Sequence, residues 1–456
     1  MRDWTPDVGP ASGPRYRAIV DTLAADITAG RIKPGTRLPP QRDMAERLGL
    51  SLGTISKAYA EAERRGLISG EVGRGTFVLR PRPRANGPDQ PAMPANLALN
   101  VPPPTGEEQV IAATLAEIAA DTDMSDLLGY APHQGLRAHR DAMAEWLSAQ
   151  GIAADPDRLA ITSGAQHALS IALGLLAGRG DAVVTESLTY SGMMALASHT
   201  GCRLHGVDLD EAGAVPESLD RVLSSTGARV VYLMPTLQTP TGTVMPEARR
   251  GEIADVIRRN DACLIEDDVY AFLFPRPPRP ISSLLPERGF YLMSFAKCLA
   301  PGLRVGAMIA PESFRDRVVN ALRATGWMAA PAMVETAVRL IRGGGLGRQI
   351  SLKREQARLR YDLAHRILRG RVRATSPVGS FHVWLPLPAG RTLTALLTQA
   401  ALAGITLAPP AALQPLDPAS TGVRLCLGGV DSIMELDRVL ATLRDMLAAA
   451  EAMSFV

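Results

Sequence analysis

An unpatterned stretch, RPRPRANGPDQPAMPAN (residues 80–96), divides this chain into two parts whose residue patterns belong to different architectures. Rich in proline and polar residues, it reads as an exposed linker, set at residues 81–96. Before it, residues 14–30 carry Ile19, Val20, Leu23 and Ile27, a helical stripe that ends at a glycine. Residues 32–40 (IKPGTRLPP), with three prolines and a glycine, read as loop. Residues 42–48 form a short helix with Met44, Ala45 and Leu48 inward, stopped at Gly49. Ser51 then caps a helix running to Arg65. Residues 67–79 alternate as two strands around Gly73-Arg74-Gly75, a hairpin turn. Helix, helix, turn, helix, hairpin predicts a winged helix-turn-helix over residues 13–80. After the linker, apolar runs at 182–185, 230–233 and 262–265 alternate with helical segments. That alternation predicts an α/β domain over residues 97–450, a mainly parallel sheet with crossover helices.

Bulk properties narrow the class. The 456 residues are 46% hydrophobic and 21% charged, as in an ordinary soluble protein. The longest apolar stretches, such as residues 168–177 (ALSIALGLLA), are too short to span a bilayer. The N-terminal MRDWTPDVGP lacks the apolar core of a signal peptide, so a cytoplasmic protein with no membrane partner is expected. Cys202, Cys263, Cys298 and Cys426 are scattered without metal-ligand or disulfide spacing, and buried free thiols with no metal site are expected. Net charge is +3, unevenly placed: residues 1–80 hold 13 Lys+Arg and 9 Asp+Glu, which leaves −1 for the rest. The N-terminal part is where a polyanion would bind.

A winged helix sets the start of its third helix in the major groove and its wing on adjacent backbone. Ser51, Thr54 and Lys57 lie on the exposed face of that helix, Arg42 opens the preceding one, and Arg74 tips the wing. Short polar groups suit base edges and cations suit phosphates, so double-stranded operator DNA is the expected partner. The ordered elements L-P-x-x-R, A-x-x-L-G-x-S, T-x-x-x-A-Y, G-L-I and G-x-G-T-F-V resemble the GntR family of bacterial regulators. That family often places an arginine directly after the serine; here Leu52-Gly53 follows, so the operator is not transferable from relatives.

The second part carries the elements of a pyridoxal-phosphate site. Such a site must hold a Schiff base, keep the pyridine nitrogen protonated, bind the phosphate and fix the ring plane. In SFAKCLAPGLRVG, Lys297 sits in an apolar frame to form the imine, while Ser294 and Arg304 grip the phosphate. CLIEDDVYAF ends an apolar strand in acids, at the edge where parallel sheets place ligands. Asp267 is expected on the pyridinium nitrogen and Tyr270 on the phenolic oxygen, with Glu266 and Asp268 structural or solvent-facing. ITSGAQHAL makes a strand-to-helix turn in which Gly164, Ala165 and Gln166 offer backbone amides to phosphate, with His167 in the helix packing. Tyr190 is the aromatic that would stack on the ring.

Together these motifs resemble the fold-type I aminotransferases of class I and II, over roughly residues 97–450. The resemblance implies a smaller α+β C-terminal subdomain. It also implies that Arg424 clamps a substrate or effector carboxylate, and that Tyr130 reaches the phosphate of the partner subunit in a homodimer. The usual N-P-T-G becomes Thr239-Pro240-Thr241-Gly242; the asparagine normally hydrogen-bonds the ring's phenolic oxygen, and threonine is shorter. A GntR-like winged helix joined to an aminotransferase-like domain resembles the MocR subfamily, in which head-to-tail dimers are implied. The expectation is a regulator that senses an amine, amino acid or vitamer through the Lys297 aldimine, with weak or no transaminase activity. The alternative is an active aminotransferase with an accessory DNA-binding domain.

Overall fold

In the computed structural model, the described residues are 4–6, 14–28, 31–33, 35–64, 67–71, 75–78, 95–387, 392–410, 412–413 and 421–453. They fall into two compact units, divided between Met93 and Pro94.

In the first unit the apolar stripe folds as the helix Arg15–Thr28, followed by Gln41–Leu48 and Leu52–Arg64. Gly49 ends the second helix in the left-handed region at φ 62°, its N–H returning to the Ala45 and Glu46 carbonyls. Ser51 caps the third helix as expected, its Oγ accepting from the Thr54 N–H at 3.2 Å. Ile19, Val20, Leu23, Met44, Ile55 and Tyr59 are buried between the helices. The Tyr59 hydroxyl donates to the Pro39 carbonyl at 2.6 Å, which gives its polar end a partner in the core. The wing strands Ile68–Glu71 and Gly75–Val78 pair antiparallel. A third strand, Arg37–Leu38, joins them from the segment expected to be loop throughout, with Arg37 opposite Phe77 and Leu38 opposite Thr76. The Arg74 turn lies outside the described residues.

The second unit is built on a seven-stranded sheet. Its order is Leu159–Thr162, Gly306–Ile309, Gly289–Ser294, Cys263–Asp267, Val230–Leu233, Ala182–Glu186, Arg203–Val207. Gly306–Ile309 runs antiparallel to both neighbours, and the other pairings are parallel. Helices on both faces explain why these strands are near-continuous apolar runs. Val230 and Tyr232 enter one core, and Val231 and Leu233 the other. A smaller α+β subdomain has its own core. It pairs His382–Pro386 with Gly422–Cys426 antiparallel, under the helices Leu393–Leu402 and Ile433–Met453. Ala95–Asn96, the end of the stretch expected to be linker, forms a parallel strand with Ile405–Thr406 and so begins this unit. Cys298 and Cys426 are buried, whereas Cys202 and Cys263 are only half-buried, short of the buried thiols expected at all four positions. Among the described residues no helix is long and apolar enough to cross a membrane.

Candidate functional site

The carboxyl ends of the central strands carry the chemistry. Along Cys263–Asp267 successive side chains face opposite sides, which separates the two acids at its end. Glu266 turns toward Arg250 at 3.6 Å and accepts from the Ile281 and Ser282 N–H groups at 3.0 and 2.7 Å. Asp267 turns to the other side, where its Oδ2 accepts from the Tyr232 hydroxyl at 2.9 Å. Its Oδ1 is buried without a partner. Burial pushes the Asp267 carboxyl up to about 6, against the pull of Tyr232 and Lys297. Asp268 is 2% exposed and accepts from the Tyr291 hydroxyl at 3.2 Å. Of the two roles foreseen for Glu266 and Asp268, solvent-facing is excluded by their burial and the structural one stands.

The next strand leads into Lys297. Ser294, at its end, caps the short helix Phe295–Cys298 by accepting from the Ala296 N–H at 3.1 Å, and its hydroxyl donates to the Val305 carbonyl. Lys297 donates from Nζ to the main-chain oxygen of Asn100 and lies 6.0 Å from the centre of the Tyr270 ring. Burial, and then the nearby Arg424 guanidinium, push its amine down to about 8. Tyr270 is buried, and its hydroxyl accepts from Asn100 Nδ2 at 2.7 Å. Thr239 is 3% exposed, and its hydroxyl lies beside that of Tyr270.

A cup lies at the edge where Arg304 meets Gly164. Gly164, at φ 86°, precedes the helix Ala165–Leu176; a Cβ on it would stand 2.8 Å from the Arg304 guanidinium, so only glycine allows this approach. Arg304 is itself left-handed at φ 53° and donates to the Ser163 carbonyl at 3.0 Å. Ala165 and Gln166 open the helix, where first-turn N–H groups lack intrahelical acceptors. Gln166 Nε2 donates to the Gly192 carbonyl at 3.2 Å, and its Oε1 is buried without a partner. His167 accepts from the Ser163 N–H at Nδ1 and meets the Thr325 hydroxyl at Nε2, a structural position. Tyr190 is half-buried at the start of the helix Ser191–Thr200. Arg424, on Gly422–Cys426, donates to the Ala98 carbonyl at 3.0 Å. Tyr130 stands apart, 87% exposed, its ring 5.6 Å from that of Trp327.

Three residues of this region escape the sequence patterns. Tyr232 lies inside an apolar strand and reads as core. His382 is fully buried and pushed down to about 3 by burial and by Arg424. Asn100 lies in a proline-rich loop and touches Lys297, Tyr270 and His382. An acid with one unpartnered oxygen, a partly neutral amine and a cup of donors suit a planar pyridine that carries an aldehyde and a phosphate.

On the first unit, Lys57 and Arg42 are exposed. The Ser51 and Thr54 hydroxyls lie 2.9 Å apart and bond to each other at the helix start.

Residues 93–432 match the family described as aminotransferase class I and II. The chain belongs to that family. Residues 15–78 of this aminotransferase-family chain match bacterial regulatory proteins of the gntR family. Its two-module layout is that of MocR-type regulators. It is 28% identical over 387 residues to the uncharacterized HTH-type transcriptional regulator YdeF of Bacillus subtilis, covering 84% of each chain. It is 28% identical over 345 residues to the probable rhizopine catabolism regulatory protein MocR of Rhizobium meliloti, covering 69% of each. The kynurenine aminotransferase of Pyrococcus horikoshii, solved with PMP, superposes with a TM-score of 0.71 at 26% identity, over 79% of this chain and 92% of that one. The chain is thus a GntR-type DNA-binding module fused to an aminotransferase-like domain.

Proposed function

We propose that this protein is a transcriptional regulator that holds pyridoxal 5′-phosphate in its large unit and reads an amine, amino acid or vitamer there. The observation that carries this is the pairing, in one chain, of a winged helix with a half-buried lysine of lowered proton affinity, Lys297, and an unpartnered oxygen at Asp267. When bound, the cofactor supplies an aldehyde that condenses with amines and a ring that withdraws electrons. Lys297 offers the amine that takes the aldehyde, and its lowered proton affinity keeps part of it nucleophilic near neutral pH. Asp267 would hold the proton on the ring nitrogen through the oxygen that has no protein partner. Tyr270 would donate to the phenolic oxygen with Thr239 beside it, and Tyr190 would stack on the ring. Arg304, Ser294 and the turn Gly164-Ala165-Gln166 hold the phosphate. Arg424 takes the effector's carboxylate. The protein is read as a homodimer in which exposed Tyr130 of one copy completes the phosphate site of the other. On DNA, Arg42, Lys57 and Arg74 meet phosphates, while Ser51 and Thr54 face base edges.

The test joins the two ends of the chain. A duplex is selected from a random-sequence library with the holoprotein, and its affinity is measured while a panel of amines and amino acids is added. The visible spectrum is followed in the same samples. The expected result is that a compound altering the spectrum also alters DNA affinity. Sustained conversion of amino acid to 2-oxo acid with unchanged DNA affinity would instead make the chain an active aminotransferase.

A further inference from the structure

We infer that Asn100 supplies the carboxamide missing at Thr239, acting as a positioning residue that aims the Tyr270 hydroxyl at the cofactor's phenolic oxygen. This rests on the cofactor reading above. The segment that carries Asn100 is tied down on several sides. Asn96 Oδ1 accepts from the Ala98 and Leu99 N–H groups at 2.9 and 3.0 Å, and the Leu97 carbonyl accepts from the Cys426 N–H at 2.8 Å. The Ala98 carbonyl accepts from Arg424. Asn100 is therefore delivered to the site by rigid backbone and not by a free loop.

The orientation of its amide follows from its neighbours. His382 Nε2 lies 3.1 Å from the Gln238 carbonyl, which can only accept, so Nε2 carries the proton. Its Nδ1 is then an acceptor, and the Asn100 atom 3.4 Å away must be the donor Nδ2. The same Nδ2 is 2.7 Å from the Tyr270 oxygen. One N–H goes to histidine and the other to tyrosine. With its oxygen accepting from Asn100, and the Thr239 hydroxyl beside it also donating toward that oxygen, the Tyr270 hydroxyl keeps its own proton to give. Asn100 Oδ1 is left buried without a partner. The other titratable and charged groups around Tyr270 are Lys297, Asp267, Arg424, Cys426 and His382. Thr239 offers Tyr270 a hydroxyl but carries no amide, whereas Asn100 brings one from the start of the second unit.

The experiment is a pH titration of the visible band of the holoprotein. A donor aimed at the phenolic oxygen favours the less protonated form of the bound chromophore, so its loss raises the midpoint. Asn100→Ala and Asn100→Leu, the latter keeping the volume, are each expected to raise it by about 0.5 to 1 pH unit, the weight of one net hydrogen bond. Adding Thr239→Asn to Asn100→Ala restores the amide from the other side and is expected to return the midpoint toward the wild-type value. An unchanged midpoint in both single variants overturns the inference. So does a raised midpoint that Thr239→Asn leaves uncorrected, because Asn100 would then act otherwise than as a substitute amide. A wild-type holoprotein with no titrating band would overturn the cofactor reading itself, an outcome distinct from either.

Discussion

Cofactor capture by the apoprotein should report the state of one amine. The chain has four lysines: Lys33, Lys57, Lys297 and Lys353. Lys33 and Lys57 are exposed on the winged unit. Lys353 is buried but pairs with Glu107 at 3.0 Å and donates to the Pro103 carbonyl at 2.7 Å. Lys297 remains, with its amine lowered from 10.5 to about 8. The nucleophile is the neutral form, and a depressed proton affinity supplies it at lower pH. At a pH of about 7.5, roughly a quarter of Lys297 amines are neutral, against about one in a thousand for a free lysine, roughly a 200-fold gain. The rate of uptake should therefore rise through pH 8 and level off above it. Working above a pH of about 7 keeps the cofactor's phosphate in one ionisation state. Arg424→Met removes a cation that lowers Lys297, so it should move the midpoint upward. Stopped-flow absorbance follows the uptake, and borohydride reduction with peptide mapping locates the adduct. A midpoint near 10, or a reducible adduct that survives Lys297→Ala, would refute the reasoning.

Three further outcomes are expected. Asp267→Asn removes the acid proposed to meet the ring nitrogen, and the loss of a hydrogen bond to a charged group, about 1.5–3 kcal/mol, should weaken cofactor affinity by roughly 10- to 150-fold in an equilibrium titration; an unchanged affinity moves the role to Asp268. Gly164→Ala places a Cβ against Arg304, so binding of pyridoxal 5′-phosphate should weaken while that of unphosphorylated pyridoxal does not, which calorimetry with the two ligands distinguishes. Lys57→Ala and Arg42→Ala should each weaken binding to a selected duplex and lower the salt slope by about one if they meet phosphate; unchanged affinity in both would turn the third helix away from the groove.

Much of this was legible because the signals are local. Runs such as Val230–Leu233 show where strands lie, and the acids that follow Ile265 show where one reaches the ligand edge. The winged helix could be read from its caps and glycines, since Gly49 and Ser51 act through neighbours within a few residues. What escaped depends on distant pairing. Arg37–Leu38 is a strand only because Thr76 and Phe77 lie alongside it, and nothing in IKPGTRLPP alternates. Asn100 meets Tyr270 across 170 positions and His382 across 282, so no spacing marks it. The burial of Glu266 and Asp268 was hidden for the same reason: acids are usually exposed, and the partners that permit their burial, Arg250 and Tyr291, lie outside the local segment.

The antiparallel strand Gly306–Ile309 has a consequence for the protein before any cofactor arrives. Its register sets Gly306 opposite Thr162, and a Cβ on Gly306 would come within 2.8 Å of the Gly164 backbone. The two walls of the proposed anion cup, Arg304 and the turn at Gly164, therefore flank the end of one ladder, held by folding itself. An anion that enters finds its donors already in place and orders little chain on arrival. Such a cup does not wait for a pyridine ring. Free inorganic phosphate is then expected to compete for it, so that the fraction of chains carrying cofactor should depend on the phosphate level of the surroundings as well as on the supply of the vitamin.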